Sequence, residues 1–322
     1  MTTRQVVPLA PQASVVGVDI GGTKTHLRLR ERTGQRDLIV PTSDWRHREW
    51  HRDARSLLDL VASFAEGVPV AALGVGAHGC DDQAECLAFE EAFTAASSMP
   101  VRVVNDAELM PAAFGLEQQI GVVAGTGSIA VCRTAQDEML VAGGWGWIIG
   151  DEGSAASLVR EAAHAVALHL DSGGTDSDPL VRYLFLALEI PSAARIGSRL
   201  GSLGNAKDVG RHASLIFDAA NEGSDLANTV IGNGGRALAD LVSRLRLRGS
   251  QAHSVVAGGS VIASQPRLWN AFRAGVAELC DPDLSLLLHQ GPPVEGAIVL
   301  ADRLAAERAT TPFSHTPERS QI

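Results

Sequence analysis

The sequence is sparing with several features whose presence would settle its class. Only four cysteines occur in 322 residues, Cys80, Cys86, Cys132 and Cys280. No two stand at CxxC spacing, so a reduced compartment with free thiols is the expectation. Basic residues are outnumbered, 27 Lys+Arg against 37 Asp+Glu for a formal net charge of −10. No basic run or basic–aromatic stripe offsets that balance, which argues against a nucleic-acid partner. No stretch approaches the roughly 20 uninterrupted apolar residues of a membrane span. Residues 1–14 lack the charged-then-apolar layout of an export signal, so a cytoplasmic location and no membrane partner are expected. Two nucleotide fingerprints are missing as well. There is no GxxxxGK[ST] loop and no GxGxxG after the first strand, which excludes the P-loop and Rossmann ways of holding phosphate.

What the chain does have is length, an apolar fraction of 45% and a strand–helix alternation. At this size two domains are the natural expectation. Val15 to Val18 reads as a strand, Asp19 to Lys24 as a turn and Thr25 to Arg30 as a second strand. Trp50, Ala54, Leu57, Leu58, Val61, Phe64 and Ala65 fall on one helical stripe. Val70 to Val75 and Val101 to Val104 suit buried parallel strands, with a helix around Ala84 to Ala96 between them. A helix from Ala107 to Gly115 is expected after Asp106. Gly121 to Ala124, Gly125-Thr126-Gly127-Ser128 and Ile129 to Arg133 then repeat the strand–turn–strand of residues 15–30, which suggests two related halves. Helices dominate from Ser154, with faces built on Leu158, Val159, Ala162, Ala163, Val166 and Leu170, and on Leu226, Val230, Ile231, Leu238, Leu241, Val242 and Leu245. Late strands are expected at Ser254 to Ala257 and Ser285 to His289, and a closing helix from about Glu295 to Arg308.

Residues 143–155, Gly-Gly-Trp-Gly-Trp-Ile-Ile-Gly-Asp-Glu-Gly-Ser-Ala, form the most distinctive stretch. Glycine allows close backbone approach, the indoles offer apolar faces for C–H groups, and the Asp-Glu pair can meet hydroxyls, as a polar ring-shaped ligand requires; a loop that merely turns a corner is the alternative. Three small-residue turns follow strands: Asp19-Ile20-Gly21-Gly22-Thr23-Lys24, Gly125-Thr126-Gly127-Ser128 and Gly258-Gly259-Ser260. In each, glycines let N–H groups converge on phosphate oxygens and hydroxyls add donors. Lys24 is a candidate cation or a plain exposed lysine. Asp19, at a strand end, suits Mg²⁺ held through waters or an Asx-type turn. Asp106 follows the strand Val101 to Val104, where open α/β sheets concentrate active-site groups; a helix N-cap is the competing role. His47 and His51, four apart on an expected helix, sit among Arg46, Arg48 and Arg52 and read as a solvated face rather than a metal site. Trp147 suits core or a sugar platform equally.

The segments DIGGTKT (19–25), VVNDAE (103–108), AGTGS (124–128), GGWGWIIGDEGSA (143–155) and VVAGGSV (255–261) resemble the motif series of the N-acetylglucosamine kinase / BadF-BadG-BcrA-BcrD group, within the actin-like ATPase superfamily. The likeness runs over residues 15–308. It implies an α/β fold of two ribonuclease-H-like domains with mixed sheets around a central nucleotide cleft, the larger second domain carrying a helical insertion. The implied bounds are 12–116 with 298–310 for the small domain and 117–297 for the large one, with loose tails at 1–11 and 311–322. It further implies ATP and Mg²⁺ as cofactors, a small aminosugar as substrate and a homodimer. Asp106 matches the base that takes the proton of the sugar 6-hydroxyl, and Asp19 the residue organising the metal. Asp19, Gly21, Gly22 and Thr23 match the first phosphate loop and Thr126, Gly127 and Ser128 the second; Lys24 and Gly125 are nucleotide-binding candidates beside them. Gly258, Gly259 and Ser260 match the loop against the adenosine. Sugar contacts are implied for Gly144, Trp145 and Asp151; Ala155, Thr126, Asn105, Asp106, His78, Gly79, Asp81 and Asp44 are further candidate substrate-binding residues. Asp44 falls near a position where acetamido-sugar kinases tend to carry Asn.

That last departure, with His78-Gly79-Cys80-Asp81-Asp82, points to a free 2-ammonium rather than a neutral acetamide, because a buried charge needs an opposite partner. Glucosamine is therefore the expected acceptor and N-acetylglucosamine the alternative; Asp81 and Asp82 also suit a plain helix N-terminus. A more distant alternative is the ATP-hydrolysing activator of a CoA-substrate dehydratase or reductase, which needs a cysteine-held iron–sulfur cluster that the scattered cysteines do not suggest. A sugar-binding regulator that has lost catalysis is a third, disfavoured because the candidate base is intact.

Overall fold

The computed structural model describes residues 13–280 and 282–310; the tails expected at 1–11 and 311–322 lie outside the described residues. The contacts divide the chain into two compact units. One comprises the residues through Cys80, Ala84–Asp106 and those from Pro293 on; the other comprises Asp81–Gln83 and Ala107–Pro292.

The first unit is built on strands β1 (Val15–Ile20), β2 (Lys24–Glu31), β3 (Gly34–Pro41), β4 (Leu73–Ala77) and β5 (Val101–Val104), in the spatial order β3-β2-β1-β4-β5. β1–β2–β3 is antiparallel, while β1, β4 and β5 are mutually parallel. β1 and β4 are almost wholly buried, as parallel strands covered on both faces should be. Helix α1 (Trp50–Ala65) begins where the Glu49 carboxylate accepts from the Arg52 N–H and ends at Glu66 in the left-handed conformation. Helix α2 (Gln83–Ala96) joins β4 to β5. The terminal helix, Val294–Thr310, lies directly on β1 and β4: a Cβ at Gly17 would stand 2.6 Å from the Ile298 nitrogen, and one at Gly74 2.2 Å from the Ala297 carbonyl oxygen.

The second unit repeats the plan. Strands β6 (Ile120–Ala124), β7 (Ser128–Arg133), β8 (Met139–Gly143), β9 (Ser254–Gly258) and β10 (Ser285–Leu288) lie in the order β10-β9-β6-β7-β8. β6–β7–β8 is antiparallel, and β6, β9 and β10 are parallel. Position for position this is the order of the first sheet, so the hairpin repeat seen in the sequence marks a repeat of the whole five-stranded, ribonuclease-H-like sheet. A short helix α3 (Leu109–Ala113) precedes it. Between β8 and β9 come α4 (Ala155–Asp171), the insertion α5 (Pro179–Ala187), α6 (Ile196–Ser202), α7 (Ala206–Gly210) and α8 (Ser214–Asn221), and the long α9 (Asp225–Leu247). Leu158, Val159, Ala162 and Val166 of α4 and Leu238, Leu241, Val242 and Leu245 of α9 share one core with β6 and β9. Helices α10 (Ser260–Ser264) and α11 (Pro266–Leu279) come after β9.

Several local expectations need correction. Strands β3 and β8 are not among those expected from the sequence: their apolar runs, Leu38 to Val40 and Met139 to Ala142, are short, and both strands lie at sheet edges, β3 alternating between exposed and half-buried positions. β4 begins at Leu73, not Val70. Asp106 opens a 3₁₀ turn, Asp106–Glu108, instead of a continuous helix to Gly115. Helix α1 starts at Trp50, so His47 lies before it and does not share a helical face with His51. Arg46 is not solvated: its side chain is 4% exposed. Among the described residues no helix is long and apolar enough to cross a membrane.

The terminal helix tests the packing argument. Gly74→Ala should destabilise the protein by about 1–3 kcal/mol, because the backbone above it cannot withdraw as a flexible side chain would. Denaturant unfolding checks this; a midpoint equal to wild type would contradict it.

Candidate active site

Three parallel strands of the first unit end side by side, and each delivers a polar group. Asp19 is the fifth residue of β1, His78 follows β4 and Asp106 lies two residues beyond β5. Because β4 lies between β1 and β5, His78 stands between the two carboxylates' strands. Its Nδ1 is 3.9 Å from Asp106 Oδ2, and a Cβ on Gly22 would lie 3.4 Å from its Cδ2. One imidazole thus spans from the first glycine turn to the candidate base. The His78 N–H donates to the Ile20 carbonyl at 2.8 Å, which keeps the two strand ends in step.

The first turn is closed by the Gly21 N–H donating to the Lys24 carbonyl at 3.0 Å. Thr42 holds it from the side. Its hydroxyl donates to the Gly21 carbonyl at 2.8 Å and its N–H to the Thr23 carbonyl at 3.0 Å. Gly22, Thr23 and Lys24 remain exposed. Burial pushes the Asp19 carboxyl up to about 7; the nearby Asp106 charge adds to the rise and Lys24 opposes it. Asn105 is buried, and its amide donates to the Cys80 carbonyl at 2.9 Å, so it fixes the loop after β4. Asp44 is exposed on the 3₁₀ turn Thr42–Asp44 that begins with the clamping threonine, and Asp81 is exposed directly before the α2 segment.

The second unit gathers the other motif segments. In the turn after β6 the Gly125 N–H donates to the Gly127 carbonyl at 2.9 Å, and the Ala155 N–H at the start of α4 donates to the Gly125 carbonyl at 2.8 Å. The Ser128 hydroxyl donates to the Glu152 carbonyl at 2.9 Å. Asp151, buried at φ +56°, accepts from the Gly146 N–H at 3.2 Å. Its Oδ2 would sit 2.8 Å from a Cβ on Gly127, so only glycine admits that carboxylate against the turn. Gly259, at φ +102°, brings the third turn against Ala124, and the Ser260 hydroxyl lies 3.5 Å from a Cβ built on Gly125. Gly144 and Trp145 are exposed, Trp145 at 71%, whereas Trp147 packs against the core.

Thr126, Ala155 and Ser260 also line a cavity of about 360 Å³, together with Lys207, Arg211 and Phe217. Sequence reasoning missed those three, which sit in the insertion without a motif around them. It also missed Arg160, whose guanidinium donates to the carbonyls of Trp147 and, at 3.1 Å, Gly150, tying the glycine-rich loop to α4.

The model of the BadF/BadG/BcrA/BcrD ATPase family matches residues 16–298. The chain belongs to that family. It is 30% identical over 172 residues to an N-acetylmuramic acid/N-acetylglucosamine kinase of Clostridium acetobutylicum, covering 50% of this chain and 55% of that protein; the chain thus spans about half the length of the curated relative it matches. Its fold is that of a putative N-acetylglucosamine kinase from Porphyromonas gingivalis (TM-score 0.62, 18% identity, 89% of this chain and 98% of that one). A putative N-acetylglucosamine kinase from Chromobacterium violaceum is similar too (TM-score 0.58, 21% identity, 91% and 100%). So is a ROK family glucokinase from Streptomyces griseus (TM-score 0.56, 19% identity, 90% and 99%).

The raised Asp19 carboxyl also bears on stability. Between its unfolded value of 3.8 and about 7 the unfolded chain ionises while the native carboxyl stays protonated, so native stability falls as pH rises across that window and levels off above it. Asp19→Asn should therefore raise the melting temperature of the ligand-free protein over wild type at pH 8 more than at pH 4. An equal difference at both pH values would contradict the shift.

Proposed function

We propose that this family member is an ATP-dependent hexosamine kinase that transfers the γ-phosphoryl group to the 6-hydroxyl of glucosamine. The observation that carries the reading is the gathering of Asp19, His78, Asp106 and the first glycine turn at the ends of three adjacent strands. Phosphoryl transfer asks a protein for positioning and charge neutralisation more than for covalent chemistry. An acid at a strand end, beside backbone N–H groups left free of side chains, meets that demand.

In this reading Asp106 accepts the proton of the 6-hydroxyl as its oxygen attacks in line. Each glycine turn, Gly22-Thr23 in the first unit and Thr126-Gly127 in the second, offers backbone N–H groups to phosphate oxygens, with Lys24 adding charge to the first. The cavity beside Thr126 and Ser260 takes the nucleoside, its Phe217 offering an apolar wall and its Lys207 and Arg211 a positive one. Gly144, Trp145, Asp151 and Ala155 contact the sugar. Mg²⁺ fits the donors present: Asp19 is a hard oxygen ligand crowded by a second carboxylate, and a cation relieves that crowding. Asp19 would hold the ion, which supplies charge neutralisation at the phosphates when bound. N-acetylglucosamine is the second reading; it is favoured by the activity for which the Clostridium acetobutylicum relative is named and by the exposed apolar side chains of Trp145, Ile148 and Ile149, which suit an acetyl methyl.

A coupled ADP-release assay across glucosamine, N-acetylglucosamine, glucose, mannosamine and no sugar tests the proposal. Sugar-dependent release with glucosamine preferred is the expected outcome, and release without any sugar dependence would overturn it. Asp106→Asn should lower kcat by about 10²–10⁴-fold, the usual worth of a general base, with sugar binding still measurable by calorimetry. Turnover comparable to wild type would remove Asp106 from this role.

A further inference from the structure

The arginine cluster that reads as a solvated face contains one residue that is nothing of the kind. Arg46 is folded under the first unit's surface, its side chain 4% exposed, and it faces Asp53, whose side chain is fully buried on the first turn of α1. Arg46 Nε and Asp53 Oδ2 are 3.9 Å apart, and among the described residues neither atom has a hydrogen-bond partner. The other Asp53 oxygen accepts from the His47 N–H at 2.6 Å, so the carboxylate is locked to the segment that carries Arg46. The far end of the guanidinium does the outward work: Nη1 donates to the His78 carbonyl at 2.7 Å. Nη2 lies 3.7 Å from where a Cβ on Gly79 would stand, a residue at φ +79° that leaves room for it. Burial lowers the Arg46 pKa and Arg48 lowers it further, while Cys80, Asp53 and Asp106 oppose them.

The same short segment also begins with Thr42, which holds the Gly21 and Thr23 carbonyls of the first glycine turn, and the Arg46 N–H donates back to the Thr42 carbonyl at 3.0 Å. A single stretch of chain, anchored on a buried carboxylate, therefore grips both sides of the gap that the His78 ring spans. We infer that Arg46, fixed by Asp53, is a positioning residue for the phosphoryl transfer proposed above: it sets the backbone at His78 and so aims the imidazole at Asp106 and the glycine turn. The inference rests on that reading of Asp106. A buried ion pair suits this task because removing either partner leaves an uncompensated charge, so the arrangement has one stable geometry.

The test is a double-mutant cycle with Arg46→Met and His78→Ala, scored by kcat per folded molecule in the sugar-dependent ADP assay. Misplacing a group by about 1 Å can cost 10²-fold in rate. Arg46→Met should accordingly lower kcat about 10- to 100-fold, with KM for ATP moving far less. In the His78→Ala background the same substitution should cost less than about threefold more, because its target is already gone. Arg46→Lys serves if the methionine variant does not fold: an ammonium keeps the charge opposite Asp53 but cannot also reach the His78 carbonyl, so the kcat loss should persist. In histidine-labelled protein, the His78 ring resonances, assigned by their loss in His78→Ala, should move in Arg46→Lys while those of His164 stay in place.

Rate losses that multiply in the double variant, or a lower melting point with kcat within twofold of wild type, would overturn the inference. Unmoved His78 resonances would overturn it whether or not any sugar is turned over. Wild-type protein that turns over no sugar would overturn the proposed function alone, since the resonances still report the positioning.

Discussion

At Gly17 and Gly74 the backbone of the terminal helix rests directly on β1 and β4, and the placement of the strand ends that carry Asp19, His78 and Asp106 depends on that contact. At both positions any side chain would overlap helix backbone, and Val15, Ala72, Ile298 and Ala301 pack around them. Close packing of this kind leaves strands little freedom to slide, since interiors are packed as densely as crystals. β1 and β4 are the strands whose ends carry Asp19 and His78, and β4 in turn fixes the register of β5 and so of Asp106. Two carboxylates that repel, one of them pushed up to about 7, are thus held together by packing well away from them. This is the usual relation between a destabilised functional cluster and the scaffold that sustains it.

The second unit applies the same device to different ends. Its sheet has the same strand order, and here too glycine marks the places where backbone meets backbone or carboxylate. Gly121 sits under the Ala107 carbonyl, Gly259 against Ala124, and Gly127 against the Asp151 carboxylate. The repeated sheet supplies two glycine hairpins with equivalent positions. The units differ in the groups attached to those sheets: a strand-end acid after β5 in one, and a nucleoside-sized cavity beside the α7–α8 insertion in the other.

Much of this was legible in the residues. Both hairpins, the parallel strands and the principal helices announce themselves through apolar periodicity bounded by glycine turns, and Asp19 and Asp106 stand out as acids at strand ends. Edge strands β3 and β8 escaped because their apolar runs are only three and four residues long, Leu38 to Val40 and Met139 to Ala142, and neither strand is fully buried. Arg46 escaped for a different reason. Flanked by His47, Arg48 and Arg52, it looks like every other charge in a solvated stretch, and only the fold reveals that Asp53, further along the chain, meets it inside. Arg160 was equally silent, since a helical arginine gives no sign that its guanidinium will collect two carbonyls from a loop. Side chains that act through backbone carbonyls leave no motif, because any sequence can supply a carbonyl.

The central claim is that the strand-end carboxylate at 106 receives the proton of a sugar hydroxyl. A crystal structure of the protein with glucosamine and a non-hydrolysable ATP analogue tests it most directly. The account predicts the sugar's 6-oxygen within about 3 Å of an Asp106 carboxylate oxygen, the reach a general base needs. A sugar bound with that oxygen turned away from Asp106, or with a different hydroxyl presented to it, would contradict the account.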